Sequence, residues 1–193
     1  MTKDELLRDL QAQREAIVTA LNFSYIVASR VWVREFGTFT ATPGTIDIEL
    51  DRSHFQYVIP RPADFVALYD EKLINHAGFN LVRITIRTAI SQSYEKIREF
   101  CLGNGTRQPK WETASWRPLA RLARNSFSHD HKLNFLDQKT GELRTDVTFT
   151  FPNGRAITVK NTEHGKPIDG TNMPIDVVLA LLDVMREFVK SEL

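Results

Sequence analysis

The sequence predicts a mainly helical fold, an up-and-down bundle with a small antiparallel β-hairpin inserted near the last helix. Three observations carry this. Apolar residues recur at helical spacing over long stretches towards both ends of the chain. No glycine or proline interrupts the first of these stretches before Gly37. Between Leu133 and Lys160 the period changes to two, around an Asn-Gly turn. With 193 residues, 42% of them hydrophobic, the chain can bury a core as a single domain, 1–193, with 133–160 as a β insertion within it.

The first helix is expected from about Lys3 to Glu35. Thr2 and Glu5 have the spacing of a capping box, in which a hydroxyl and a carboxylate satisfy each other's backbone N–H groups. Leu7, Leu10, Ile17, Leu21 and Ala28 follow at helical spacing, and Val31, Trp32 and Phe36 suggest a buried end. Gly37 to Arg61 reads as irregular. Ile46, Ile48 and Leu50 alternate with Asp47, Glu49 and Asp51, which permits one short strand there. A second long helix is expected after Pro60 and Pro62, through Phe65, Leu68, Phe79, Val82, Ile86, Ile90, Ile97 and Phe100 to about Leu102. Gly78 invites a kink or break in its middle, and Gly103-Asn104-Gly105 stops it.

Gly103 to Glu112 reads as a loop carrying Arg107 and Lys110, and a third helix runs from about Ser115 to Ser128, with Pro118 near its start. Its inner face is Leu119, Leu122, Ala123 and Ser126. Val147, Phe149 and Phe151 then alternate with Thr148 and Thr150, and the Asn153-Gly154 turn leads to Ile157 and Val159. A turn at 139–142 extends the expected sheet to two or three strands. Packing is expected from Val147, Phe149 and Phe151, with the hairpin dispensable for the fold and shaping access to a site. Pro174 opens a last helix with a wide apolar stripe of Val178, Leu181, Leu182, Met185, Phe188 and Val189.

The composition excludes several functions. Twenty-five Lys and Arg against 24 Asp and Glu leave a net charge of +1, so no global field draws the protein onto a polyanion and any such site must be a local patch. The single cysteine, Cys101, excludes an internal disulfide framework and paired-cysteine zinc or redox sites. A charged, polar N-terminus and the lack of a long apolar run predict a cytoplasmic protein without membrane contact. No glycine-rich phosphate loop or nucleophile elbow is present. His129, Asp130 and His131 cluster without the ligand set zinc prefers, so no metal and no cofactor are expected. His54, His76 and His164 read as structural.

The chemistry concentrates between Arg117 and His131. Steps of 100° put Arg117, Arg121 and Arg124 on one helical face, a local cationic stripe whose guanidinium forks match phosphate oxygens. Lys110 and His131 flank it, and together with Arg117 and Arg121 they are the expected RNA-binding residues. A solvated face with ion-pair partners is the plainer reading of such a stripe. Asn125 and His129, four apart, share a face. Arg124 and His129 lie about 140° apart on a straight helix, within reach of a long arginine stem. A histidine capping the helix C-terminus is the plainer reading of His129.

Arg124-Asn125-Ser126-Phe127-Ser128-His129 resembles the R-x4-6-H signature of the HEPN superfamily, in which a polar residue, often Asn, directly follows the arginine. The order of helices from Lys3 to Leu193 is also similar to that family's bundle, while the β segment departs from its minimal form. The resemblance implies a metal-independent endoribonuclease, with Arg124 and His129 as catalytic pair and Asn125 orienting the site. It implies an RNA substrate, attack by the 2′-OH and a homodimer whose motifs face one cleft. It also implies a role as a toxin or phage-defence effector, with a cognate antitoxin protein as a further partner. Histidine can shuttle the proton near neutral pH, and arginine can stabilise charge on the phosphate. The rival expectations are a non-catalytic HEPN-type module that binds RNA, nucleotide or protein, and a helical interaction protein. A helix-turn-helix DNA reader is disfavoured by the net charge and by Pro118.

Overall fold

A computed structural model describes residues 1–28, 44–50, 53–59, 71–128, 131–137 and 140–193. It is mainly helical, with a two-stranded antiparallel hairpin before the C-terminal helix. In order, the elements are α1 (Lys3–Ala28), β1 (Gly44–Leu50), β2 (Ser53–Ile59), α2 (Glu71–Leu102), α3 (Gln108–Thr113), α4 (Arg117–Ser128), β3 (Val147–Thr150), β4 (Ala156–Val159), a single 3-10 turn (Asn161–Glu163) and α5 (Ile175–Glu192). The chain packs as two compact units, Met1–Thr19 with Arg83–Leu193, and Ala20–Val82. Among the described residues no helix is long and apolar enough to cross a membrane.

The larger unit is organised by helices that alternate in direction. Lys3 Nζ donates to Lys190 O, Arg186 Nη1 donates to Gln11 Oε1 and Arg14 Nε lies 2.7 Å from Asp183 Oδ1, so α5 runs antiparallel to α1. Lys96 reaches Asp9 at 2.6 Å and Gln92 accepts from Gln13, so α2 also runs antiparallel to α1. α4 in turn opposes α2, with Arg124 beside Glu95 and Ser128 beside Ser91. The apolar stripes meet inside: Leu6, Ile17, Ile90, Ile97, Leu119, Leu181 and Met185 are at most 1% exposed. The capping box forms as its spacing predicts. Thr2 N–H donates to Glu5 Oε2 at 2.6 Å, and Glu5 N–H donates to Thr2 Oγ1 at 3.2 Å.

The loop expected at Gly103–Glu112 contains a helix. α3 has no apolar repeat to announce it and is anchored by one side chain. Trp111 is 2% exposed, edge-on to Tyr94 at 5.1 Å and to Trp116 at 5.6 Å, and Trp116 continues the chain of rings to Phe188 at 5.4 Å.

In the β segment, Phe149, Phe151 and Val159 are buried, Val147 is half-buried, and Thr148 and Thr150 face outward. The alternation therefore turns Phe149 and Phe151 inward, as the period of two predicts. At the turn only Gly154 takes positive φ, at 83°. Asn153 instead accepts the Arg155 N–H on its side chain, and Phe151 N–H closes onto Arg155 O. The third strand is reduced to an isolated bridge between Leu136 and Leu143.

In the smaller unit the single strand expected at 46–50 is one half of a hairpin. β1 pairs antiparallel with β2, from Gly44 opposite Ile59 to Leu50 opposite Ser53. The helix runs through Gly78 without a break. Gly78 is buried, and a Cβ there would stand 3.0 Å from Ser24 Oγ on α1, so glycine serves the approach of two helices. Phe79, expected on the inner stripe, is 58% exposed. The expected helical continuations at 29–35 and 62–70, with Val31, Trp32, Phe36, Phe65 and Leu68, lie outside the described residues.

Candidate functional site

α4 positions the motif residues, and the structure divides its cationic stripe in two. Arg117 and Arg121 border a cleft of about 560 Å³, whereas Arg124 turns towards α2. Arg124 Nη2 lies 2.6 Å from Glu95 Oε1, its Nη1 donates to Asn125 Oδ1 at 3.1 Å, and its guanidinium sits 5.8 Å from the Tyr94 ring centroid. A common helical face therefore does not give these three arginines a common destination. The long stem of Arg124 follows the carboxylate across the helix interface.

Asn125 joins the two parts. It is 7% exposed, receives the Arg124 hydrogen bond and also lines the cleft. With Oδ1 committed to Arg124, Asn125 Nδ2 has no acceptor among the described residues. Ser126, the next residue, is fully buried, and its Oγ accepts the Asn134 N–H at 3.0 Å. This contact fastens the segment that follows α4 back onto the helix.

That fastening brings in an arginine that sequence reasoning missed. Phe135 O accepts the Arg144 N–H, Asp137 N–H donates to Glu142 O, and Gly141 takes φ 72° between them. The resulting turn lays Arg144 beside Asp137, 2.6 Å from its Oδ2, and into the wall of the cleft. Arg144 O and Asp146 Oδ1 are held in turn by the side chain and the N–H of Asn161. Nothing local to Arg144 signals this placement, which follows from a turn and a bond to Ser126.

The cleft is lined by Arg117, Arg121, Asn125, Asn134, Arg144 and Thr148, together with other residues of the same loops. Two carboxylates line it as well: Glu112, which accepts from Gln108, and Asp146, which accepts the Asn161 N–H. Among the described residues Arg121 has no ion-pair partner. Burial, and after it the charge of Arg144, push its guanidinium below the usual range; Tyr94 and Asp137 oppose this, and Arg117 adds the smallest contribution. Arg117 donates to Glu112 O at 3.2 Å and lies 5.2 Å from the Trp111 ring centroid. The first turn of α4 also borders the cleft and carries no acidic residue, so a positive helix end faces arginines.

The other expected contacts lie elsewhere. Lys110 is exposed and its Nζ donates to Glu192 O at the end of α5, outside the cleft. His131 is half-buried and edge-on to Phe127 at 5.6 Å, with φ 54° and its backbone O accepting from Ile168. It does not line the cleft. His164 Nδ1 accepts the Phe135 N–H at 3.2 Å, a structural role. His129 and Asp130 lie outside the described residues. Among the described residues no group of three His, Cys, Asp or Glu is placed to hold a metal ion. Compared with known proteins, the chain matches no family model, no curated protein and no solved structure.

Proposed function

We propose that the protein is a metal-independent endoribonuclease of HEPN type, with Arg124, Asn125 and His129 as its catalytic residues and a cationic cleft along α4 that receives RNA. The observation that carries this reading is the Arg124–Asn125 hydrogen bond on a buried residue that also lines the cleft. An arginine followed by an orienting asparagine is what the motif requires, and here the pair is oriented before any substrate arrives. His129 takes the 2′-OH proton or supplies one to the leaving 5′ oxygen, and arginine stabilises the charge that develops at phosphorus. The wider role as a toxin or phage-defence effector, a facing second copy and a cognate antitoxin belong to the same proposal.

One observation favours a second reading. Glu95 occupies the Arg124 guanidinium at 2.6 Å, which leaves that arginine directed to α2 and not to the cleft. A non-catalytic module that binds RNA or nucleotide would use the cleft and keep Arg124 as a support for Asn125.

Incubation of purified protein with total RNA in excess EDTA separates the two. A nuclease yields fragments ending in 2′,3′-cyclic phosphate and leaves DNA and 2′-O-methyl RNA intact. Its His129→Ala variant stays folded and loses about 10²–10⁴-fold in rate. Intact RNA after wild-type treatment rejects the nuclease, and activity restored only by Mg²⁺ or Mn²⁺ rejects the assignment of Arg124 and His129.

A further inference from the structure

The geometry points to a phosphate-binding site in the cleft between α4 and the Arg144 turn, built by Arg117, Arg121, Arg144 and the Nδ2 donor of Asn125, which takes the backbone of single-stranded RNA or a free nucleotide. It deepens the proposed function by naming the substrate contact away from Arg124, and it rests on that reading only for RNA as the phosphate's source.

Five observations converge. The cleft is concave, and at about 560 Å³ it holds a nucleotide as well as its phosphate. Three guanidinium groups come from two separate parts of the chain, so their convergence is not a by-product of one helix's periodicity. Only Arg144 among them has a carboxylate within ion-pair distance among the described residues. The guanidinium of Arg121, without an ion-pair partner among the described residues, is half-buried beside Arg144, an arrangement that an anion relieves. Finally, a polar side chain more than nine-tenths buried, Asn125, lines this cleft with one amide atom already committed.

The division of labour follows from the chemistry. Arg117 and Arg121, one turn apart on α4, present donors to neighbouring oxygens of one phosphate or of successive phosphates. Arg144 approaches from the facing turn, its orientation fixed by Asp137. Thr148 on β3 lies at the rim, which gives the β segment a part in the site.

The test uses the full chain and three probes: a labelled 12-nucleotide single-stranded 2′-O-methyl RNA, AMP and inorganic phosphate. The 2′-O-methyl backbone keeps binding separate from cleavage. Arg121→Gln and Arg144→Gln are each expected to weaken the probe that binds by about tenfold at low salt and to lower the salt dependence by about one counterion. Arg8→Gln, on the exposed face of α1, should bind within about twofold of wild type. Arg121→Lys, which keeps the charge and loses the fork, should fall between the two and stands in if Arg121→Gln does not fold. Loss for the 12-mer alone identifies a polymer, and the same loss for AMP identifies a free nucleotide. Wild type that binds none of the probes, or variants that bind as wild type does, overturns the site. Variant-sensitive binding without any cleavage of total RNA keeps the site and discards the nuclease.

Discussion

Glu95 on α2 grips Arg124 on α4: the carboxylate Oε1 lies 2.6 Å from Nη2, while Nη1 of the same guanidinium donates to Asn125 Oδ1. One side chain thus ties two helices and sets the amide of a buried residue. Its two contacts are unequal in energy. The ion pair is about one-third exposed on both sides, so Glu95→Gln should lower stability by less than about 1 kcal/mol. Arg124→Ala leaves a buried acceptor without its donor and should cost about 1–3 kcal/mol. Urea unfolding of both variants measures the difference, and equal losses would refute the assignment.

Arg124→Lys distinguishes charge from geometry. Lysine keeps the charge but presents its donors from a single nitrogen, so it cannot hold Glu95 and Asn125 in the geometry of the planar fork. The variant should recover part of the stability lost in Arg124→Ala. If the protein is a nuclease, its cleavage rate should stay close to that of the alanine variant. Full activity in Arg124→Lys would mean that only the charge counts.

Ser126 is expected to act through the fold alone. Ser126→Ala removes the acceptor for the Asn134 N–H, at a cost of about 1–3 kcal/mol. It should also loosen the turn that delivers Arg144, so phosphate binding should weaken even though Ser126 touches no ligand. Hydrogen exchange at Asn134 that stays as slow as in wild type would argue against this link.

Cys101 should be inert in the native state. It is fully buried, and burial raises its thiol to about 11, with Arg107 opposing weakly. At pH 8 only on the order of one thiol in a thousand is ionised. A thiol reagent should therefore modify the protein quickly in urea and slowly without it. Rapid labelling of the folded chain would place Cys101 nearer the surface.

Acid should release three local ties. A side-chain hydrogen bond from Arg155 holds Asp176 below its ordinary 3.8, a side-chain bond from Thr171 does the same for Asp169, and the Thr2 N–H holds Glu5 below 4.5. Each carboxylate has a folded value lower than its unfolded one. The stability they add is therefore present above the ordinary values and is lost as pH falls below them, towards the folded values. Arg155→Ala should flatten this dependence where the hairpin meets α5. Melting curves from pH 6 to pH 2 that are parallel for both proteins would contradict it.

Much of this could be read in the sequence because it depends on local spacing. Thr2 and Glu5 meet because residues three apart adjoin in a first helical turn, and Phe149 and Phe151 share a face because strands alternate. What could not be read depends on neighbours distant in sequence. α3 is held by Trp111 between two rings, and Arg144 reaches the cleft through Ser126, eight residues before Asn134. Helical steps of 100° place Arg124 on the stripe, but only α2 supplies the carboxylate that draws it away. For the candidate site, Arg117, Arg121 and Asn125 were legible as residues, while the cleft they line was not.

The stacking of Arg117 near Trp111, 5.2 Å from guanidinium carbon to ring centroid, has an optical consequence. A cation over an indole shifts and quenches its emission, and an anion that draws Arg117 into the cleft lifts that influence. The protein thus carries a buried fluorophore beside an arginine of the site. Titration should register as a change in tryptophan emission that disappears in Trp111→Phe, giving occupancy without a label.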